Sequence, residues 1–216
     1  MSRPALAAGS PILSPRLMRS LDATPERNEP SELAFRLLVH SIGVLMTTSF
    51  PGASPSKLRA SRFPIVSLIV CLLVCFAAAA IGSAATLPSI PGWYEGLAKP
   101  DFNPPNWLFA PVWTILYAMM AVALWRVVNS ADGGTRRRAV GVFAVQLILN
   151  AAWSVIFFGL QSITGGLVII VLLDIAIFAT IAQFGQIDRL AGWLLVPYVI
   201  WVSFAALLNL AIFILN

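Results

Sequence analysis

The chain has 216 residues, of which 59% are hydrophobic and only 11% charged. Soluble domains carry about 25% charged residues, so this composition excludes a soluble domain and indicates an integral membrane protein. The net charge of +5 is concentrated beside apolar runs, where basic residues determine topology, and this argues against nucleic acid as a partner. The apolar runs continue for about 20 residues without alternation, which predicts spanning helices instead of barrel strands.

Residues 1–62 differ in composition from the rest of the chain. They hold eight of the 14 Lys and Arg residues and four of the nine acids, so we expect a disordered basic leader. Within it, residues 33–46 are apolar but too short to span a membrane, and a signal-like or interfacial helix is an alternative. Translation from Met46, which leaves only a short basic tail before the first span, is a second alternative.

The remaining residues, 63–216, predict an all-α membrane domain with five transmembrane helices and a Pro/Trp-rich lid loop between helices 1 and 2. The predicted spans cover residues 63–85, 107–128, 139–159, 164–184 and 193–215. Pro111 and Pro197 fall near the starts of their spans, where a missing N–H costs little. The connection NSADGGTRRR between spans two and three is predicted to be a loop.

The basic residues predict the orientation of the five spans. One side of the membrane receives Lys57, Arg59, Arg62, Arg126, Arg136, Arg137, Arg138 and Arg189. The opposite side receives only Lys99. By the positive-inside rule the amino end is then cytoplasmic, and the lid loop and the carboxyl end lie on the other side of an inner-membrane-like bilayer.

Three spans carry polar or aromatic residues at helical spacing, so each set shares one helix face. The sets are Trp113, Tyr117 and Met120 on span two, Gln146, Asn150 and Trp153 on span three, and Trp201, Ala205 and Asn209 on span five. If the faces converge, they form a cavity that suits a flat, amphipathic, largely apolar ligand. Alternatively, the amides only bond to neighbouring helices and the tryptophans mark the headgroup belt.

Other groups point to no conventional enzyme. Asp174 lies near the middle of span four, where it either accepts an interhelical hydrogen bond or takes part in proton transfer. Cys71 and Cys75 are one helical turn apart but far from His40 in sequence, so no metal site is predicted. The sequence also lacks a pattern for a nucleophile with its base or for a phosphate-binding loop.

Four motifs occur in a characteristic order. The lid loop reads WYEGLAKPDFNPPNW and is followed by FAPVWTILYAMM, then by QLILNAAWSVIFFG at 146–159 and WVSFAALLN at 201–209. Together they resemble the TspO/MBR family, which comprises the tryptophan-rich sensory proteins and the translocator proteins. The resemblance covers about residues 63–216 and leaves the leader outside.

This resemblance implies a five-helix bundle, usually a homodimer, that binds a tetrapyrrole such as protoporphyrin IX or haem and requires no other cofactor. Trp113 and Trp201 match pocket tryptophans linked to light-driven porphyrin breakdown in bacterial members, which makes them the candidates for photochemistry. The other matches are Asn150 and Trp153 in the pocket, Trp93 and Tyr94 in the loop that closes it, Ala205 at a position sensitive to bulk, and Asp174 as a common acid.

One departure from the family pattern concerns sterols. Residues 205–216 read AALLNLAIFILN and contain neither the tyrosine nor the basic residue of the cholesterol-recognition stretch, which puts sterol binding in doubt.

The expected function is a tetrapyrrole-binding sensor or regulator in a bacterial membrane, with light-dependent porphyrin degradation as a candidate activity. A porphyrin transporter is the alternative, although the sequence lacks the paired repeats of alternating access. A structural or partner-regulating protein with an incidental cavity is the third reading.

Overall fold

The computed structural model describes residues 64–130 and 133–216, and these residues form an all-helical bundle. The predicted leader, the alternative start at Met46 and His40 lie outside the described residues. The helices are α1 (Pro64–Thr86), α2 (Phe109–Ser130), α3 (Gly133–Ser154), α4 (Ile163–Ile187), α5 (Arg189–Leu194) and α6 (Val196–Leu215).

Five helical segments are long and apolar enough to cross a membrane, which confirms the predicted five-helix fold. The first four correspond to α1 to α4, and the fifth consists of the short α5 and α6. Large apolar side chains point outward from the bundle, as expected for a surface in contact with lipid. Examples more than half exposed are Ile65, Ile115, Ile148, Ile175 and Ile214.

Each of the helices α1 to α4 packs against at least two other helices. α1 packs against α2 and α3, whereas α4 packs against α3 and α6. The short α5 packs against α2 and α4 at the opposite end from the lid loop. There, Asp188 caps α5 by accepting from the backbone N–H of Leu190 at 2.9 Å, and its Oδ2 lies 2.7 Å from Arg126 Nη2. This ion pair fixes the end of α2 to the start of α5.

The connection between α2 and α3 is shorter than the sequence predicted. The three arginines at 136–138, which we expected in a loop, belong to the first turns of α3, because that helix already begins at Gly133. Arginine is a good helix former, and these side chains are exposed, so the backbone gains helical hydrogen bonds without burying charge. Gly133 and Gly134 therefore lie in the first helical turn and not in a separate turn.

The segment between α1 and α2, residues 87–108, contains the lid loop and short helical turns at Leu87–Ser89, Ile90–Tyr94 and Asn106–Leu108, and hydrogen bonds within the segment help to hold it. Gly92 has a φ of 91°, a conformation that residues with a side chain rarely adopt, and it turns the chain between α1 and Tyr94. The Tyr94 hydroxyl donates to Asn103 Oδ1 at 3.1 Å. Lys99 Nζ donates to the Glu95 carbonyl at 3.1 Å and lies 4.9 Å from the centre of the Tyr94 ring.

The junction between α3 and α4 depends on a close backbone approach at Gly166. A Cβ at this position would lie 2.6 Å from Cδ2 of the buried Phe157 and 3.1 Å from Asn209 Oδ1. Only a residue without a side chain therefore permits the observed packing of α4 against the end of α3.

We expect Gly166→Ala to lower the free energy of unfolding by about 1–3 kcal/mol, because Phe157 must move to relieve the overlap. Gly141→Ala is the matched control, since a Cβ added at this exposed helical glycine would meet no other atom within 4 Å. Thermal unfolding in detergent compares the two variants. Equal melting temperatures would contradict the tight junction.

Candidate functional site

A cavity of about 500 Å³ lies between α1, α2 and the end of α3, beside the lid loop. Ligand pockets in proteins typically have volumes of about 300–1,000 Å³, so this space is large enough for a small organic molecule. Tyr94 and Asn106 of the lid loop contribute to the wall. On the side of the cavity formed by α1, most of the lining residues are small. They are Ala79, Ala80, Gly82, Ser83 and Thr86, together with the larger Phe76.

Aromatic rings form the opposite side of the cavity. The rings of Trp113 and Tyr117 on α2 lie with their centres 5.6 Å apart. Trp153, at the end of α3, is stacked on Phe157 at 5.5 Å with an interplanar angle of 17°, and it meets Phe158 edge-on at 5.8 Å. These mutual contacts fix the orientation of the rings, so the cavity presents preformed flat surfaces.

A chain of buried hydrogen bonds supports the wall from behind. The Tyr117 hydroxyl donates to Asn150 Oδ1, and Asn150 Nδ2 donates to the Tyr198 hydroxyl at 2.9 Å. The Tyr198 hydroxyl donates to Gln146 Oε1 at 3.0 Å, and Gln146 Nε2 lies 3.9 Å from Met120 Sδ. We call these five residues the polar relay. It joins α2, α3 and α6, and it meets the cavity at Tyr117 and Asn150.

The cavity reaches the outside of the bundle beside α1 and α2. Phe76, Ala80 and Ser83 are spaced i, i+4 and i+7 along α1, and Ala110 and Thr114 are one turn apart on α2. All five line the cavity, and all five are also exposed on the outside of the bundle. Because this surface belongs to spanning helices, the opening faces lipid.

The structure brings five of the nine predicted binding residues together around the cavity. They are Tyr94, Trp113, Tyr117, Asn150 and Trp153. They come from the lid loop, α2 and α3, so two of the three predicted helix faces meet in one space.

The other four predicted residues lie outside the cavity wall. Gln146 is only 1% exposed and belongs to the polar relay. Trp93 packs behind the wall against an aromatic residue of the α3 end. Trp201 meets Phe109 edge-on at 5.7 Å, so the Phe109 ring separates it from the cavity, and Ala205 is buried within the bundle.

No described residue of the fifth span lines this cavity, so the predicted binding roles of Trp201 and Ala205 stay predictions. α1 occupies that place because its small residues leave space next to α2 and α3. α6 contributes instead Tyr198, whose hydroxyl bonds both Asn150 and Gln146. Sequence reasoning missed these residues because it searched for chemically distinctive groups, whereas alanine, glycine and serine only leave room. Tyr198 could have been found as a polar group one turn before Trp201.

Outside the polar relay, two further sets of side-chain hydrogen bonds join the helices, one at Asp174 and one at Asn209. The Ser203 hydroxyl lies 2.9 Å and 3.1 Å from the two carboxylate oxygens of Asp174. This contact agrees with the interhelical hydrogen bond that was one of the two alternatives for Asp174. On the far side of the aromatic wall, Trp153 Nε1 donates to Asn209 Oδ1 at 3.3 Å, and Asn209 Nδ2 donates to the Ile163 carbonyl at 3.2 Å.

Residues 71–215 match the sequence profile of the TspO/MBR family. The chain belongs to this family. It is 46% identical over 156 residues to the tryptophan-rich protein TspO of Chlorobaculum tepidum, which covers 70% of this chain and 97% of that protein. It is also 38% identical over 152 residues to protein CrtK of Rhodobacter capsulatus, covering 70% of this chain and 95% of the relative.

A human relative, named translocator protein, is 40% identical over 119 residues, which cover 54% of this chain and 70% of that protein. Together with the five apolar helices, the membership shows that this TspO/MBR protein is a multi-pass membrane protein. The resemblance seen in the sequence motifs is thus confirmed.

The lid loop of this TspO/MBR protein is tied to the end of α6. Asn216 Oδ1 accepts from the Ala98 backbone N–H at 3.0 Å, and Asn216 Nδ2 donates to the Ala98 carbonyl at 3.0 Å. The side-chain amide thus pairs with both backbone groups of one residue, as a neighbouring strand would. This pair restrains the loop that carries Tyr94 and Asn106.

We expect Asn216→Ala to accelerate hydrogen exchange at the Ala98 amide, because its acceptor is removed. Asn216→Asp is the matched control: the carboxylate keeps the acceptor for the Ala98 N–H and loses only the donor. Residue-resolved exchange measured by NMR in detergent distinguishes the variants. Unchanged exchange in Asn216→Ala would contradict the observed pairing.

Proposed function

We propose that this protein binds a tetrapyrrole in the cavity and acts as a membrane sensor or regulator, with protoporphyrin IX as the preferred ligand. The observation that carries the proposal is the preformed aromatic wall of Trp113, Tyr117 and Trp153 around a space of about 500 Å³. A planar macrocycle can lie against such rings and bury a large apolar area. The names of two relatives, the tryptophan-rich sensory protein of Cereibacter sphaeroides and the human translocator protein, support a role in sensing or transport at a membrane.

The wall favours a porphyrin without metal over haem. Haem proteins usually supply histidine, methionine or cysteine as an axial iron ligand. Among the described residues that line the cavity there is none of these three types. Tyrosine can also bind haem iron, but the hydroxyls of Tyr94 and Tyr117 both donate to asparagines. The cavity therefore fits a ligand held by stacking and hydrogen bonds.

The side opening suggests how such a ligand enters. Porphyrins are amphipathic and partition into bilayers, so a passage bordered by Ala80 and Ser83 on α1 and Ala110 and Thr114 on α2 allows entry from the lipid. Entry from the bilayer suits a sensor of membrane-dissolved porphyrin. Passage to the other side would make the protein a transporter, and porphyrin flux into proteoliposomes separates these two functions.

Two further features belong to this proposal. The basic residues Arg126, Arg136–Arg138 and Arg189 lie at the end of the bundle away from the lid loop, and we place that end in the cytoplasm of a bacterial cell. We also retain the homodimer as a prediction.

The first test is a titration of protoporphyrin IX into purified protein in the dark, followed by porphyrin absorbance. We expect saturable binding, and a Trp113→Leu variant that binds about five-fold more weakly, because the variant loses an aromatic contact worth about 1 kcal/mol. Trp193→Leu is the matched control, since Trp193 is 45% exposed on α5 and does not line the cavity.

Absence of saturable binding, or equal loss of affinity in both variants, would overturn the assignment of the cavity. Repeating the titration under light in air tests the photochemical part of the proposal, in which the bound porphyrin absorbs the light. We expect loss of porphyrin absorbance in wild type and a slower loss in Trp113→Phe. Trp201→Phe reports separately on the tryptophan that lies behind Phe109.

A further inference from the structure

The polar relay has a direction, because each hydroxyl in it carries a single hydrogen. The Tyr198 hydroxyl lies between two amides, at 3.0 Å from Gln146 Oε1 and 2.9 Å from Asn150 Nδ2. Since Gln146 Oε1 can only accept, Tyr198 gives its hydrogen to Gln146 and must accept from Asn150. Asn150 then presents its oxygen to Tyr117, which gives its own hydrogen to Asn150.

Only one other arrangement satisfies the same groups. If both amides were rotated by 180°, Gln146 Nε2 would donate to Tyr198, Tyr198 to Asn150 Oδ1, and Asn150 Nδ2 to Tyr117. The three hydrogen bonds between Gln146, Tyr198, Asn150 and Tyr117 would be preserved with their direction reversed. In that arrangement the Tyr117 hydrogen would be free to donate to a ligand. The two directions thus give the cavity wall opposite chemical properties at Tyr117.

Met120 distinguishes the two directions. Its sulfur lies 3.9 Å from Gln146 Nε2, and a thioether sulfur is a weak acceptor with no hydrogen to give. In the reversed arrangement Gln146 Oε1 would face this sulfur, which places two acceptors against each other. Both residues are buried, Met120 at 0% and Gln146 at 1% exposure, so water cannot relieve that contact. The observed direction is therefore the favoured one.

We propose that Met120, through the relay of Gln146, Tyr198 and Asn150, holds the Tyr117 hydroxyl as a hydrogen-bond acceptor, so that the cavity selects ligands carrying an O–H or N–H donor. Tyr117 and Asn150 both belong to the cavity wall, which brings this acceptor to the ligand. The proposal rests on the cavity being the ligand site, but not on the ligand being a tetrapyrrole.

The test uses two probes that differ in the donor and in one methyl group. 2-Naphthol has a hydroxyl, and 2-methoxynaphthalene replaces its hydrogen by a methyl group while keeping the oxygen and the ring system. Equilibrium binding is measured in lipid nanodiscs, with protein-free nanodiscs as the reference for partitioning into lipid. The readout is the ratio of the two affinities, which a general loss of stability does not change in a directed way.

We expect wild type to bind 2-naphthol about five-fold more tightly than the methoxy probe, the effect of one net hydrogen bond. Tyr117→Phe removes the acceptor and should bring the ratio to about one. Met120→Leu keeps the volume but removes the sulfur, so the reversed direction becomes accessible and the ratio should fall. Met119→Leu, the matched control at the neighbouring methionine of α2, which lies outside both the cavity wall and the polar relay, should keep the wild-type ratio.

Equal affinities of the two probes in wild type, including no binding of either above the reference, would overturn the proposal. A ratio that survives in Tyr117→Phe would overturn it as well, and one unchanged in Met120→Leu would remove Met120 as the cause of the direction. Met120→Leu also provides the decisive comparison if Tyr117→Phe does not fold. Loss of protoporphyrin binding with an intact naphthol ratio would overturn only the tetrapyrrole function.

Discussion

The structure depends on one constraint: within the hydrocarbon of a bilayer, each polar group must find its partner inside the protein. The backbone meets this constraint by forming helices, and the side chains meet it by pairing between helices. Asn150, Gln146 and Asn209 are each at most 2% exposed, and each has a hydrogen-bond partner on another segment. These pairs join α2, α3, α4 and α6 at defined positions, since an amide that loses its partner in this environment is costly.

The same constraint explains why a cavity can exist beside α1. Small side chains at Ala79, Ala80, Gly82 and Ser83 leave space, and the polar relay keeps the opposite wall from collapsing into it. The rings of Trp113 and Trp153 are held by contacts with other aromatic residues, so they are preformed for a ligand. The cavity is therefore mostly apolar and flat, with Tyr117 and Asn150 as the polar position that the relay orients.

The fold was predictable because its signals are long and repeated. Five apolar runs of about 20 residues leave few alternatives to five spans, and the motif order identified the family. Trp113, Tyr117, Asn150 and Trp153 could be placed on common helix faces because the helical period is regular. Each of these predictions uses the sequence of a single helix and needs no information about how helices pack against each other.

The features that the sequence did not predict depend largely on how the helices pack against each other. A single sequence contains no direct information about that packing. The small residues of α1 carry no signal of their own, and the fifth span supports the wall from behind through the Tyr198 hydroxyl. The start of α3 at Gly133 was missed because a glycine pair next to three arginines is typical of a loop. Packing between helices decided the first two cases, whereas at the start of α3 the helix propensity of the exposed arginines decided the outcome.

The most direct test of the account is an experimental structure of the protein with protoporphyrin IX bound. The account predicts macrocycle density inside the cavity, in contact with Trp113 and Trp153 and reachable from the opening between α1 and α2. Density on the outer lipid-facing surface, with the cavity collapsed or filled by side chains, would contradict it.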